Sequence, residues 1–178
     1  MHPTMLSIAA SCLLAATAAQ AQTQPTSTPN SARAVFMNQQ GQTIGSATLI
    51  ETPNGVLVRA DLTNLPPGVH GFHIHEVGAC DPATKFESAG GHYNPTGAKH
   101  GYMVEGGPHA GDMPNQTVGA DGKVLVEVMN PSVTFGDGKA TLFDANGSAL
   151  VVHATADDYR SQPSGAAGDR LACGVIQK

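Results

Sequence analysis

Residues 43–62 read TIGSATLIETPNGVLVRADL, and this stretch decides the fold class of the chain. It contains two β-prone runs, Thr43–Ile50 and Val56–Leu62. Between them Thr52–Gly55 supplies the proline, asparagine and glycine typical of a tight hairpin turn. Two short strands joined in this way predict an antiparallel sheet.

The same pattern continues on both sides of this hairpin. Further strands are predicted at Arg33–Met37, Val69–Glu76, Gln116–Gly119, Lys123–Met129, Ser148–His153 and Leu171–Ile176. Glycine, proline and asparagine clusters separate them, and no helix longer than a turn or two is expected. Eight short antiparallel strands predict an all-β sandwich or barrel.

Two long irregular segments interrupt the strands, 77–113 and 154–169. A long structureless loop inside a compact domain is usually functional or disordered. The first of these loops carries four candidate metal ligands, which favours function.

Size and charge narrow the classes of protein. A chain of 178 residues suits one folded domain with its own core. The formal net charge of −5 disfavours a nucleic-acid partner, because nucleic acid requires a basic face.

The N-terminus is predicted to direct export. Residues 1–32 contain no Asp, Glu, Lys or Arg, and the apolar run 5–19 is too short to span a bilayer. It ends in Ala19-Gln20-Ala21, so residues 1–21 are interpreted as a signal peptide, although basic residues are missing at its start. A membrane anchor and lipid attachment at Cys12 are the alternatives; for the latter, the usual leucine three residues earlier is absent.

Residues 22–32 are polar and rich in proline, threonine and serine, which predicts a flexible linker before a domain at 33–178. Two cysteines remain after cleavage, Cys80 and Cys173. In an oxidising compartment such a pair is expected to form a disulfide, with two buried thiols as the alternative.

Six of the eight histidines belong to one pattern that indicates metal binding. Side chains alternate along a strand, so His73 and His75 project from the same face, about 6.5 to 7 Å apart. Taken alone this pair could equally be two solvated histidines. The long loop adds His92, His100 and His109 together with Asp112, and His153 follows much later.

Counting donors suggests two metal ions. Two four-coordinate ions need about eight donor positions, and these seven side chains provide all but one. A single imidazole that bridges both ions would provide the last, because it has two ring nitrogens. Four nitrogens without sulfur favour Cu(II), whereas three histidines and an aspartate suit tetrahedral Zn(II).

Five segments together resemble the copper/zinc superoxide dismutase family, over roughly residues 33–178. They are Gly71–Glu76 (GFHIHE), Gly91–Pro95 (GHYNP), His109–Asp112 (HAGD), Leu150–His153 (LVVH) and Gly168–Ile176 (GDRLACGVI). The resemblance implies an eight-stranded Greek-key β-barrel of the immunoglobulin-like sandwich type, which is the known architecture of this family.

The resemblance also implies the roles of individual residues. Copper would be bound by His73, His75, His92 and His153, and zinc by His92, His100, His109 and Asp112, with His92 as the bridge. Cys80 and Cys173 match the family's disulfide, Arg170 its substrate-docking arginine, and Asp157 the carboxylate that connects the two metal sites through His73 and His100. His70 matches a structural histidine.

The implied reaction is dismutation of superoxide to oxygen and hydrogen peroxide, with copper cycling between Cu(II) and Cu(I). The bridge at His92 would break as its nitrogen takes up a proton, while zinc stays structural. Electrostatic steering of the anion is known for this family, and Lys85 and Lys99 are candidates for it.

The spacing around Cys80 resembles the bacterial periplasmic branch, which implies antioxidant defence in the periplasm without stable membrane insertion. A homodimer is left open, because subunit contacts differ between branches. The competing hypotheses are a copper/zinc buffer or delivery protein, a zinc hydrolase with Glu76 as base, and a purely structural sandwich. The first is disfavoured by Arg170, and the second because Glu76 should face away from His75.

Overall fold

The computed structural model describes residues 30–178. The predicted signal peptide, Cys12 and most of the predicted linker lie outside these residues. Eight strands form a single antiparallel sheet. They are β1 (Ser31–Asn38), β2 (Thr43–Thr52), β3 (Gly55–Leu62), β4 (Gly68–His75), β5 (Asp112–Val118), β6 (Val124–Asn130), β7 (Ala149–His153) and β8 (Arg170–Gln177). The all-β antiparallel prediction is confirmed.

The strand order is β5-β4-β7-β8-β1-β2-β3-β6. The first three strands pair in sequence as a meander, but the fourth does not continue it, because the chain crosses to β4 on the far side of the sheet. The outermost strands, β5 and β6, lie against each other, so the sheet curls into a nearly closed barrel. Placing β7 between β4 and β8 brings its last residue beside the strand that carries His73 and His75.

Alternating side chains build the core inside this barrel. In β3, every second residue from Val56 to Leu62 is buried, and Ala34 and Phe36 of β1 face the same interior. A fully buried aliphatic or aromatic side chain contributes about 1.5–3 kcal/mol. The period-two pattern of the sequence therefore explains the sheet directly.

Most strand boundaries differ from the prediction by one or two residues, and two strands begin two or more residues before the predicted start. The first strand begins at Ser31, so residues 31 and 32 of the predicted linker belong to the sheet. The fifth begins at Asp112 rather than Gln116, because Asp112 and Met113 pair with His73 and Phe72 of β4. Tertiary pairing extends this strand through Pro114, which local propensity would exclude.

The two long loops contain little regular structure. Between β4 and β5 the chain forms two single-turn 3-10 helices, Pro82–Thr84 and Glu87–Ala89. Cys80 of this loop is disulfide-bonded to Cys173 of β8, across 93 residues of sequence, as predicted. Phe86 and Ala89 pack with Cys173 in a second, smaller hydrophobic cluster. The loop is therefore fixed to the barrel at the place where β8 begins. Among residues 30–178 no helix is long and apolar enough to cross a membrane.

Candidate metal centre

Strand β4 places two histidines at one spot because side chains alternate along it. Phe72 and Ile74 are fully buried in the main core, and His73 and His75 face the other side, also buried. The prediction that His73 and His75 project from the same face of this strand is confirmed. His153 ends the neighbouring strand β7, and its Nε2 lies 3.2 Å from Nε2 of His75.

The long loop returns to the same place. His92 forms an isolated β-bridge with His75, and the main chain of Tyr93 pairs with Ile74. Asp112 opens β5 opposite His73. Main-chain pairing thus holds His92 and Asp112 against the strand that carries the first two histidines.

Seven side chains form two groups of four whose candidate ligand atoms all lie within 4.8 Å of one another, and every member is buried. The groups are His73, His75, His92 and His153, and His92, His100, His109 and Asp112. His92 is the member they share. The structure therefore brings together all seven residues predicted from the sequence, in the two predicted sets.

The nitrogen and oxygen atoms of the two groups are arranged to bind cations rather than to satisfy one another's hydrogen bonds. Three buried ring nitrogens have no hydrogen-bond partner among the described residues: Nδ1 of His73, Nε2 of His92 and Nδ1 of His109. Such unpaired groups are costly unless something else binds them. Oδ1 of Asp112 is surrounded by Nδ1 of His92 at 2.8 Å, of His100 at 3.1 Å and of His109 at 3.4 Å, the last not aligned as a hydrogen bond. Four donors converging in this way suit a tetrahedral cation.

Burial lowers the pKa of three histidines of the first group, His73, His75 and His153. It lowers the pKa of His73 to about 4, partly offset by the hydrogen bond to Asp157. It lowers the pKa of His153 to about 3 and that of His75 well below its usual value, with repulsion from neighbouring imidazoles adding to both. A neutral imidazole has the free electron pair that a metal needs.

Asp112 remains an anion in the second group. Burial alone would raise its pKa, but close contacts with the His100 and His92 rings and a hydrogen bond from the main-chain N–H of Gly101 outweigh burial and lower it strongly. Its other oxygen, Oδ2, accepts from the N–H groups of Gly101 at 2.9 Å and His109 at 3.0 Å. Main-chain donors thus fix the carboxylate while Oδ1 faces the histidines.

Asp157 connects the two groups. Its Oδ2 lies 2.9 Å from Nε2 of His73, and its Oδ1 lies 3.0 Å from Nε2 of His100. A carboxylate can only accept, so both rings must carry their proton on Nε2, which leaves Nδ1 of each free to bind a cation. Asn115 fixes this aspartate by accepting from its N–H and donating to its carbonyl oxygen.

A cavity of about 220 Å³ gives access to the first group. Its lining includes His75, His92 and His153, and also Arg170 and Glu87. The Arg170 guanidinium donates to the carbonyl oxygen of Phe86 at 2.6 Å and of Gly90 at 2.7 Å. Burial lowers its pKa and Glu87 raises it, yet an arginine remains charged at any physiological pH.

The remaining candidates lie elsewhere. Lys85 and Lys99 are exposed and do not line this cavity. Glu76 is exposed and outside the cavity lining, and its Oε1 accepts from the N–H of Gly91. His70 is buried between the carbonyl oxygens of His153 and Pro66, which agrees with a structural role.

The model of the family "Copper/zinc superoxide dismutase (SODC)" matches residues 43–176. The chain belongs to the copper/zinc superoxide dismutase family. It is therefore a member of an oxidoreductase family whose cofactors are copper and zinc, and its two buried groups supply suitable ligands.

Relatives in the copper/zinc superoxide dismutase family support this over nearly the whole chain. "Superoxide dismutase [Cu-Zn] 1" of Aquifex aeolicus is 51% identical over 144 residues, covering 80% of this chain and 85% of the relative. "Superoxide dismutase [Cu-Zn]" of Escherichia coli K12 is 41% identical over 179 residues, covering 96% and 98%.

Solved structures show the same fold. A superoxide dismutase-like protein from Bacillus subtilis matches with a TM-score of 0.76 at 40% identity, covering 80% of this chain and 95% of the other. The Cu/Zn superoxide dismutase from Brucella abortus matches with a TM-score of 0.67 at 32% identity, covering 83% and 100%.

Three residues of the site were not recognised in the sequence. Glu87 is an exposed glutamate in an irregular loop, and no spacing rule distinguishes it. Asn115 lies within β5, but the predicted strand began only at the next residue, Gln116. Gly165 has φ +70° and lies so close to the Asp157 carboxylate that a Cβ there would overlap it. Its positive φ has a weak sequence signal, since glycine occurs wherever the chain needs that conformation.

Proposed function

We propose that this protein converts two superoxide anions and two protons into one molecule of oxygen and one of hydrogen peroxide. The observation that supports this best is the meeting of three features in one place. Two complete four-donor groups share His92, the first group lines a cavity, and Arg170 lines the same cavity. A site that only stored metals would not need a fixed cation beside an open ligand group.

We further propose how the two groups are used. The all-nitrogen group of His73, His75, His92 and His153 would hold copper, and the group of His92, His100, His109 and Asp112 would hold zinc. Copper, when bound, supplies one-electron chemistry by alternating between Cu(II) and Cu(I), and zinc supplies a fixed charge without redox change. The unpartnered Nε2 of His92 and its Nδ1 beside Asp112 support the bridging role.

The protein's own groups then have distinct tasks. Arg170 attracts the anion and orients it, since its guanidinium is fixed by two carbonyl oxygens and keeps its charge. His92 holds a proton at Nε2 and delivers it to the reduced oxygen species. Asp112 keeps the opposite nitrogen of that ring in place, 2.8 Å from its Oδ1.

Export to the periplasm is also part of the proposal. Residues 1–21 would direct secretion, 22–32 would tether the domain, and 33–178 would act in antioxidant defence. The disulfide between Cys80 and Cys173 supports an oxidising compartment. Intact-mass analysis of the protein recovered from a periplasmic fraction would test both the cleavage site and lipidation at Cys12. Sedimentation of the same sample would test for the homodimer.

The decisive experiment measures metals and turnover together. Purified mature protein is expected to contain one copper and one zinc per chain, as counted from its two ligand groups, and to lose turnover when copper alone is removed. Full metal content with negligible turnover would contradict the proposal and favour a metal buffer.

Arg170→Ala tests the docking role separately. We expect a lower rate with a weaker dependence on ionic strength and unchanged metal content, because the variant loses a charge but no ligand. An unchanged rate at low salt would remove Arg170 from the mechanism.

A further inference from the structure

One turn of the long loop surrounds the guanidinium of Arg170. The carbonyl oxygens of Phe86 and Gly90 accept its two hydrogen bonds. The side chain between them, Glu87, places Oε2 3.3 Å from Nη2 of Arg170. Residues 86–90 thus provide two dipoles and one full negative charge to the same cation.

This turn is held rigidly against the barrel. Phe86 and Ala89 are fully buried in the cluster that contains Cys173. Lys85 and Phe86 both have positive φ, 53° and 66°, a conformation that side chains adopt only where packing enforces it. The base of the Glu87 side chain is therefore fixed beside the cavity, although the carboxylate itself is 73% exposed.

The charges of the cavity lining make this position important. Arg170 is the only lysine or arginine among the described residues that line it, and Glu87 is the only acidic one. An anion that approaches the Arg170 guanidinium must therefore compete with the Glu87 carboxylate for it.

We propose that Glu87 is a specificity-determining residue that limits how tightly the cavity holds any anion. Its carboxylate remains beside the Arg170 guanidinium and repels other anions. Unreactive anions therefore bind weakly and leave the cavity open, whereas an anion that reacts quickly needs only a short residence time. The same charge slows capture of the substrate at low ionic strength. This inference rests on the proposed function for its biological meaning, but anion affinity can be measured without turnover.

The test compares Glu87→Gln with Glu105→Gln, a matched control that removes the same charge from an exposed loop residue outside the cavity lining. Azide is titrated into the metal-loaded proteins and followed by visible absorbance. Repulsion between two unit charges about 4 Å apart in water corresponds to roughly a fivefold change in affinity. We expect azide to bind about three- to fivefold more tightly to Glu87→Gln than to wild type, and Glu105→Gln to match wild type.

Two further readouts support or overturn the proposal. Phosphate should inhibit Glu87→Gln more strongly, and its turnover should be faster at low salt and decline more steeply as salt is added. Azide affinity equal to wild type would overturn the proposal. Weaker azide binding would also overturn it, because it would show that Glu87 only holds Arg170 in place. Glu87→Ala, which removes the charge without leaving an amide, must give the same direction.

The result can be separated from the proposed function. If wild-type protein binds azide but does not turn over superoxide, the proposed function fails while the azide comparison still decides the role of Glu87. If turnover is high and the azide affinities are equal, only the role of Glu87 fails.

Discussion

Replacing Asp157 by asparagine should weaken metal binding, although Asp157 belongs to neither ligand group. Its two oxygens accept from Nε2 of His73 at 2.9 Å and Nε2 of His100 at 3.0 Å. An asparagine has one accepting oxygen and one donating NH2 group. One of the two rings would then face a donor, move its proton to Nδ1 and lose the nitrogen that binds the metal.

The size of the effect follows from this change of tautomer. One of the four ligands in one group is disabled, and partners that orient metal ligands are typically worth about 10–100-fold in metal affinity. This corresponds to about 1.4–2.8 kcal/mol of binding free energy. The loss of the buried negative charge acts in the same direction on both groups, because Asp157 lies between them.

Competition with chromophoric chelators measures the affinity for zinc and copper separately. Asp158→Asn is the matched control, because Asp158 is the exposed neighbour whose oxygens accept only from Ser161 and Arg160 among the described residues. Thermal unfolding of the metal-free proteins checks that both variants fold. If zinc and copper bind Asp157→Asn as tightly as wild type, the argument from tautomers is refuted.

Three further changes probe the scaffold around the site. Cys80→Ala combined with Cys173→Ala removes a link across 93 residues and should destabilise the fold by up to about 4–5 kcal/mol, seen as a lower urea midpoint; an unchanged midpoint would contradict this. Gly165→Ala should reduce metal content, because its methyl group would overlap the bridging aspartate, and normal loading would show that the loop adapts. Glu51→Gln should cost about 1 kcal/mol after solvent screening, because the side chain of Thr134 and neighbouring main-chain N–H groups lower the pKa of Glu51. The pKa of Glu51 is lower in the folded state than in the unfolded state, so wild type should be more stable than Glu51→Gln at neutral pH. This stability difference should vanish as the solution is acidified through the folded-state pKa. An equal difference at low pH would disprove the attribution.

Much of the fold could be predicted because its information is local. Alternation in Val56–Leu62 and the turn at Thr52–Gly55 determine a hairpin without reference to the rest of the chain. The start of β5 could not be predicted in this way. Asp112 is in a strand because it pairs with His73, and this partner lies far away in sequence.

The same distinction between local and long-range information applies to the candidate site. Its seven candidate ligand side chains could be selected from the sequence, since histidine and aspartate at these spacings have a specific chemistry and resemble a known family. The environment of Arg170 was not, because Glu87 and the carbonyl oxygens of Phe86 and Gly90 reach it only through the packing of one loop turn. Backbone groups carry no sequence signal of their own.

The sharing of His92 has a consequence for the order in which the metals enter. A cation in either group fixes the His92 ring, and through Asp157 it also fixes His73 or His100 for the other group. The conformational entropy of these side chains is then lost when the first metal binds, and the second metal binds without losing it again. Thermodynamic linkage requires the effect to be mutual, so prior zinc must raise copper affinity by the same factor as prior copper raises zinc affinity. A cell short of one element would thereby leave both positions harder to fill.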